Sequence, residues 1–345
     1  AVFEVMNYTG PESVTMTSFS SWGPVDDGRV KPDVVAKGQN VYSTLETSNT
    51  AYTSMSGTSM AAPNTSGTLA LLQHYYQSLN GGTPMRSATL KGLVIHTADE
   101  AGPDPGPDYK FGWGLVNGER ASQIISDDQG QNVLDELVLE ENDTYTREVT
   151  VTEGTGELRV TLCWTDPAAI SPPAALNSTT PMLVNDLDLY ITDSEDSTYY
   201  PYKLDPADPT AAATNDSRNN VDNVELVTIM APAPGTYTIH IEHEDNLTND
   251  EQAYSLIISG IEDYTVMPEC SAGLTVPEDG AENVLINEFI TWAAADFASS
   301  YDIYFGTDGA GTATPTDIYN GENVPTNGFT YIMDLNTTYY LQVVP

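Results

Sequence analysis

The chain has 345 residues, of which 40% are hydrophobic, and its 50 acidic and 11 basic residues give a formal net charge of −39. This apolar content is high enough for packed cores and excludes a disordered chain. The acidic charge argues against nucleic-acid or anionic-membrane partners, because Lys and Arg are needed to bind phosphate groups. No apolar run approaches the ~20 residues of a membrane span. We expect about two or three domains.

Residues 1–128 mix predicted strands and helices. The short apolar run at 31–38, KPDVVAKG, is typical of a buried strand. Residues 59–79 predict a helix in which Pro63 falls in the first turn, where a missing N–H is tolerated. Residues 85–100 predict a second helix, because apolar side chains recur at helical spacing.

The pattern changes after residue 128. Residues 129–263 consist of short alternating runs separated by turn residues, which predicts an antiparallel β-sandwich or barrel. Residues 205–220 form a long polar surface loop within it. Residues 264–345 predict a smaller β-sandwich around Trp292, and the strand-like pattern is interrupted at both chain ends. We therefore expect a multidomain piece of a longer protein, with a partial α/β domain first and a truncated β-sandwich last.

Only two cysteines are present, Cys163 and Cys270, so a disulfide framework is excluded. Cys163 lies in the run LRVTLCWTD and is predicted to be a core strand residue with a free thiol. Pairing with Cys270, which lies in a linker-like stretch, is the alternative.

The stretch at 54–63, SMSGTSMAAP, places Ser59 at the start of the first predicted helix. A serine hydroxyl becomes a nucleophile when a base takes its proton, and the resulting oxyanion needs hydrogen-bond donors. The N-terminus of a helix supplies one such donor and a favourable dipole, and Gly57 allows the sharp turn that precedes it. The alternative is that Thr58 or Ser59 is an ordinary N-cap. Spacing alone leaves both interpretations open.

Three motifs together resemble the subtilisin-like serine proteases. GTSMAAP at 57–63 resembles the family's nucleophile segment, and the stretch at 19–38 resembles the segment leading to it. FGWGLVNGERA at 111–121 resembles the motif before the last catalytic-domain helix. Two positions depart from the family pattern: Lys37 replaces a usual proline and Asn64 replaces a frequent histidine.

The resemblance implies a secreted, extracellular and monomeric endopeptidase that cleaves protein or peptide substrates through an acyl-enzyme. Ser59 would be the nucleophile, and its backbone N–H would be one oxyanion donor. The family needs no catalytic cofactor.

The family orders its triad Asp, His, Ser along the chain, but no histidine precedes Ser59. His74 is 15 residues downstream on the same predicted helix, ~22 Å away. The other histidines are predicted to be structural or partly exposed strand residues: His96, His240 and His243. We expect that the chain begins inside the catalytic domain, after Asp, His and the oxyanion Asn, and that it is inactive alone. The alternative is a secreted, non-catalytic β-rich adhesion or binding protein with a relic subtilase helix.

The resemblance continues beyond residue 128. Residues 129–263 resemble the C-terminal β-barrel of some alkaline subtilases, which is related in architecture to the jelly-roll P domain of proprotein convertases. Residues 264–345 resemble a fibronectin type III-like domain, which implies an accessory module.

A structural calcium site is a further hypothesis for the β-barrel. Asp186 and Asp188 are two residues apart on a predicted strand, so both side chains face one side. Like charges on one face are costly unless a cation separates them, and calcium takes oxygen ligands. Asn185, Asn220 or Asp222 would complete the site. The alternative is a set of solvated strand-edge acids with turn-forming asparagines.

Overall fold

A computed structural model gives the fold as two compact units, Ala1–Tyr264 and Thr265–Pro345. It contains many β-strands and few helices. Among the described residues, no helix combines the length and the apolar character needed to cross a membrane. The described residues are 1–2, 8–128, 130–171, 173, 175, 178–262, 274–277, 280–282, 284–287, 289–293, 300–309 and 314–344.

The first part of the first unit carries three helices. They are α1 (Thr58–Leu79), α2 (Ser87–His96) and α3 (Gly118–Ser126). An antiparallel hairpin of β1 (Val41–Thr44) and β2 (Tyr52–Met55) precedes them. Both predicted helices are confirmed. A short 3-10 turn lies before the hairpin at Pro11–Ser13, and another lies much later in the unit at Thr248–Asp250.

Two local predictions in this part are wrong. Residues 31–38 form no regular strand; Val35 makes only an isolated parallel bridge to Leu115. The helix begins at Thr58, so Pro63 is its sixth residue and lies in the second turn. Its ring nitrogen therefore cannot donate the bond that would reach the carbonyl of Ser59.

A β-sandwich forms the rest of the first unit. One antiparallel sheet has the strand order β3-β10-β5-β8, and the other has the order β4-β9-β6-β7. Leu158, Leu189 and Ile239 lie in the core between them. The strands are β3 (Asn132–Glu140), β4 (Tyr145–Val151), β5 (Glu157–Trp164), β6 (Leu187–Asp193), β7 (Thr198–Tyr199), β8 (Val224–Met230), β9 (Gly235–His243) and β10 (Glu251–Ser259).

Helix α2 covers the outer face of the β3-β10-β5-β8 sheet. Alternate residues of β10 point to the two sides, so Leu256 joins the sandwich core while Ile257 packs against the helices. A Cβ at Gly92 of α2 would lie 2.9 Å from Ile257 and 3.0 Å from Cys163. The helix therefore lies flush on the sheet. Both sides of β5 are buried from Val160 to Trp164.

Cys163 is buried and free, as predicted, and burial raises the pKa of its thiol to about 11. Cys270 lies outside the described residues, so its pairing stays untested.

The second unit contains two three-stranded antiparallel sheets, β11-β12-β15 and β14-β13-β16. Its core is aromatic: Trp292 is 1% exposed and meets Tyr301 edge to face, and the Phe305 ring stacks on Tyr339. A fibronectin type III-like topology stays a prediction. The strands are β11 (Leu274–Val276), β12 (Phe289–Trp292), β13 (Tyr301–Gly306), β14 (Tyr319–Val324), β15 (Gly328–Thr330) and β16 (Tyr340–Val344).

Candidate active site

Two glycines fix the entry to α1. The Gly57 N–H donates to the Gly38 carbonyl at 2.8 Å, and the Gly38 N–H donates to the Val2 carbonyl at 3.0 Å. A Cβ at Gly38 would lie 2.8 Å from the Gly57 oxygen and 3.2 Å from the Ala61 Cβ. The backbone approach is thus too close for a larger residue at position 38, and it holds the turn before Ser59 in place.

Ser59 is the second residue of α1, and its side chain is exposed. Gly57 is the N-cap, and no side chain caps the helix. Thr58 and Ser59 are therefore helix residues and not the N-cap, while the role of Ser59 as a nucleophile stays a prediction. No side-chain hydrogen bond joins Ser59 to the rest of the described chain. Ser59 lies in the first turn of α1, at the positive end of the helix dipole.

The downstream glycine motif lies next to the segment that precedes the nucleophile. The Trp113 N–H donates to the Asp33 carbonyl at 2.8 Å, and the Val35 N–H donates to the Gly114 carbonyl at 2.9 Å. Gly112 has φ of 63°, and a Cβ there would lie 2.0 Å from the carbonyl oxygen of Pro32. This position thus requires glycine. Two motifs that are far apart in sequence meet side by side.

Two of the four histidines, His96 and His240, contact residues that are far from Ser59 in the sequence. His96 is 1% exposed, with Nδ1 2.9 Å from Thr161 Oγ1 and Nε2 2.8 Å from Ser259 Oγ. Burial lowers its pKa well below the usual value, and Arg159 lowers it further. His240 stacks on Tyr190 with 4.5 Å between ring centroids.

The other two histidines lie in different parts of the structure. His243 Nδ1 lies 2.7 Å from the Asp245 carbonyl oxygen, and its Nε2 accepts from the Asn142 N–H at 3.1 Å. His74 lies on α1, and the unbroken helix places it ~22 Å from Ser59 at about 1.5 Å per residue. Each of the four histidines is a described residue, and none of them makes a hydrogen bond to Ser59.

The predicted calcium ligands Asp186 and Asp188 stand at the start of β6. Asp188 is fully buried, and its Oδ2 accepts from Arg218 Nη1 at 2.6 Å. Oδ1 of each aspartate is buried without a hydrogen-bond partner among the described residues. Burial raises the pKa of Asp186 to about 7, with Asp188 adding to the effect. Burial also raises the pKa of Asp188 to about 6, against the opposing effect of Arg218.

Sequence reasoning missed Glu225, a third carboxylate beside this pair. It is fully buried on β8, and its Oε2 accepts from the Leu189 N–H at 2.6 Å. Its Oε1 has no partner within the described residues. Burial raises its pKa well above the usual value, and Asp188 and Asp186 raise it further. The signal was available, because a lone glutamate interrupts the apolar strand VELVTIM.

The remaining predicted ligands have other partners. The Asn185 amide donates to Gln252 Oε1 at 2.8 Å and accepts from the Thr248 N–H at 2.8 Å. Asp222 Oδ1 accepts from the Val30 N–H at 2.8 Å, which ties the sandwich to the N-terminal segment. Asn220 donates to Glu244 at 3.0 Å.

In the described ranges, no three His, Cys, Asp or Glu side chains form a ready-made metal site. The calcium site therefore stays a prediction.

Comparison with known proteins identifies the N-terminal segment. Residues 1–114 match the family described as the subtilase family. The C5a peptidase of Streptococcus pyogenes serotype M6 is 34% identical over 143 residues, which is 40% of this chain and 12% of that protein. A PII-type proteinase of Lactococcus lactis subsp. cremoris is 41% identical over 80 residues, which is 23% of this chain and 4% of that protein.

The chain thus spans only a small part of the length of these relatives. Among solved structures, a Bacillus licheniformis lipase aligns with a TM-score of 0.23 and 9% identity over 62% of this chain and 40% of that one. A score this low supports no inference about the fold. The sequence matches, by contrast, place Ser59 within the matched range. The match to the subtilase family covers residues 1–114, about a third of the chain.

Proposed function

We propose that the chain carries the nucleophile of a subtilisin-type serine endopeptidase that cleaves proteins or peptides outside the cell. One observation supports this most directly: Ser59 is exposed and uncapped in the first turn of a helix whose entry is fixed by Gly38 and Gly57. Ser59 Oγ would attack the scissile carbonyl, and the Ser59 N–H would be one donor to the oxyanion that forms.

We further propose that residues 1–345 are inactive by themselves. A serine hydroxyl is a weak nucleophile without a neighbouring base. The four histidines are buried, engaged elsewhere or ~22 Å away along α1. A histidine base and the aspartate that orients it would therefore have to come from residues other than these 345.

Hydrolysis of an unfolded protein substrate tests this assignment. We expect activity from a longer form that carries upstream Asp-Ser/Thr-Gly and His-Gly-Thr motifs, and background hydrolysis from residues 1–345. Ser59→Ala should abolish the activity of the longer form. Ser66→Ala is the matched control, because Ser66 is an exposed serine of the same helix. Activity that survives Ser59→Ala would contradict the proposal, and an inactive longer form would favour a non-catalytic binding role.

We also propose a structural calcium ion held by Asp186 and Asp188. Each contributes one buried carboxylate oxygen that lacks a partner within the described chain, and Asn220 lies close enough to hydrogen-bond Asp186. Calcium accepts oxygen ligands of this kind and would offset their mutual repulsion. The competing arrangement is the one observed, in which the Arg218 cation alone compensates Asp188.

Thermal unfolding with and without calcium separates the two arrangements. We expect calcium to raise the Tm of the wild-type chain and to leave the Tm of Asp186→Asn nearly unchanged. Glu148→Gln is the control, because Glu148 is an exposed acid on β4 of the same sandwich; it should respond like wild type. If calcium does not move the wild-type Tm, Arg218 alone serves the site.

A further inference from the structure

A cavity of about 430 Å³ lies between the loop after α2 and strands β5 and β8. It is separate from Ser59 and from the carboxylate cluster of β6. Rings of Tyr8, Trp113 and Tyr202 form apolar parts of its wall, and Arg159 and Arg120 are its two cations. In a chain with only 11 basic residues, two arginines on one cavity wall are unusual.

Arg159 is a largely buried guanidinium whose Nε makes no hydrogen bond within the described residues. Its side chain is 13% exposed, and its Nε is buried without a hydrogen-bond partner in the described structure. Glu157 forms an ion pair with Arg159, but its Oε1 lies 3.6 Å from that nitrogen, which is too long for a hydrogen bond. Burial lowers the pKa of Arg159 more than Glu157 raises it. A charge buried in this way is costly unless a partner satisfies its donors.

Two other acids of this wall, Glu100 and Asp99, bind different partners, and Asp104 is a further acid of the lining. Glu100 accepts from the Ala101 N–H at 3.1 Å and from the Gly106 N–H at 3.2 Å. Asp99 accepts from the side-chain amide of Asn117 at 3.0 and 3.1 Å. These carboxylates hold the loop and the start of α3, so they do not supply the missing bonds of Arg159.

The residues that line the cavity indicate which class of ligand it would bind. A guanidinium presents a planar fork of donors that fits a carboxylate. The nearby carboxylates of Glu100 and Glu157 repel a second negative charge, which disfavours phosphate or sulfate. The aromatic wall provides apolar contact area, as small-molecule sites commonly do. We propose that this cavity binds an organic monocarboxylate, with its carboxylate on Arg159 and its apolar group against the aromatic wall.

Calorimetric titration of the 345-residue chain tests the proposal with two probes of similar shape. N-acetyl-L-phenylalanine carries the carboxylate, and its primary amide does not. We expect measurable binding of the acid at millimolar concentration or below, and binding of the amide at least about tenfold weaker. Equal binding of both probes, or no binding of the acid, would overturn the proposal. Inorganic phosphate should not compete; tighter binding of phosphate would overturn the monocarboxylate assignment.

Variants locate the bound probe. Arg159→Met should lose binding of the acid, while Arg159→Lys should retain it in weakened form. Arg29→Met is the control, because Arg29 is an arginine outside this cavity that pairs with Asp27 at 2.8 Å. Retained binding by a folded Arg159→Met chain would contradict the assignment. If that variant does not fold, the comparison of acid with amide on the wild-type chain still decides the question.

Discussion

His96 joins the helical segment to the sandwich, and its replacement by alanine tests whether the two parts unfold together. The substitution removes hydrogen bonds to Thr161 Oγ1 and Ser259 Oγ and leaves a cavity beside the fully buried Thr161. Two lost bonds, hydroxyls left without a partner and the missing ring volume together cost about 2–4 kcal/mol. For a unit of this size, that cost corresponds to a fall in Tm of roughly 4–16 °C.

The effect of His96→Ala should also depend on pH. Burial holds the pKa of His96 well below its usual 6.5, so the folded chain keeps it neutral while the unfolded chain protonates it. The unfolded state thus binds more protons below about pH 6.5, and this contribution to stability is lost as the pH falls through that range. The wild type should lose up to about 1.4 kcal/mol per pH unit from this group. The alanine variant has no such group. The difference in the free energy of unfolding between the wild type and His96→Ala should therefore become smaller as the pH falls.

Calorimetry and circular dichroism from pH 8 to pH 5 would check both expectations. His240→Ala is the matched control, because His240 is a half-buried strand histidine whose ring stacks on Tyr190. His240→Ala should lower the free energy of unfolding by less than His96→Ala does. A cost below about 0.5 kcal/mol for His96→Ala would refute the reasoning, since that is the range of an ordinary surface substitution. Separate transitions for the helical segment and the sandwich would refute it as well.

Three further predictions concern the packing of this unit. Gly92→Val should destabilise the chain by about 1–3 kcal/mol in denaturant unfolding, because its Cβ would overpack against Ile257 and Cys163. The control, Gly67→Ala in α1, should be neutral or stabilising, since nothing lies within 4 Å of the added Cβ; a cost equal to that of Gly92→Val would contradict the account. Cys163 should resist iodoacetamide in the native chain and react after unfolding, because burial raises its pKa to about 11; rapid native labelling would show that the sheet is not covered. Asp222→Asn should lower the Tm, because it weakens the bond to the Val30 N–H, and an unchanged Tm would argue that this tie adds no stability.

The helices were predictable because their signals are local. The periodicity at 85–100 and the small-residue run at 59–79 require no knowledge of tertiary contacts. Pro63 and the predicted strand at 31–38 were placed wrongly for different reasons. The start of α1 is set by the contact between Gly57 and Gly38, which no local pattern reveals. A regular strand needs a neighbouring strand. Within the described residues, the segment 31–38 forms only isolated β-bridges.

The position of Ser59 in the first turn of a helix was predictable from the sequence. The motif around Ser59 marks the helix start, and the structure adds that the serine is exposed and is not a cap. The carboxylate cluster shows the limit of sequence reasoning. Alternation along β6 brings Asp186 and Asp188 together, but Glu225 joins them from another sheet. Only the packing of β6 against β8 shows that Glu225 accepts a hydrogen bond from the Leu189 N–H, next to Asp188 in the chain.

The most direct test of the central claim is labelling by a fluorophosphonate probe, read by mass spectrometry at Ser59. A longer form that carries upstream Asp and His motifs should be labelled at Ser59, because an activated serine attacks such a probe. The 345-residue chain should remain unlabelled at the same probe concentration. Labelling of another serine in the longer form would contradict the assignment of Ser59 as the nucleophile. Efficient labelling of Ser59 in the 345-residue chain would contradict the claim that these residues provide it with no base.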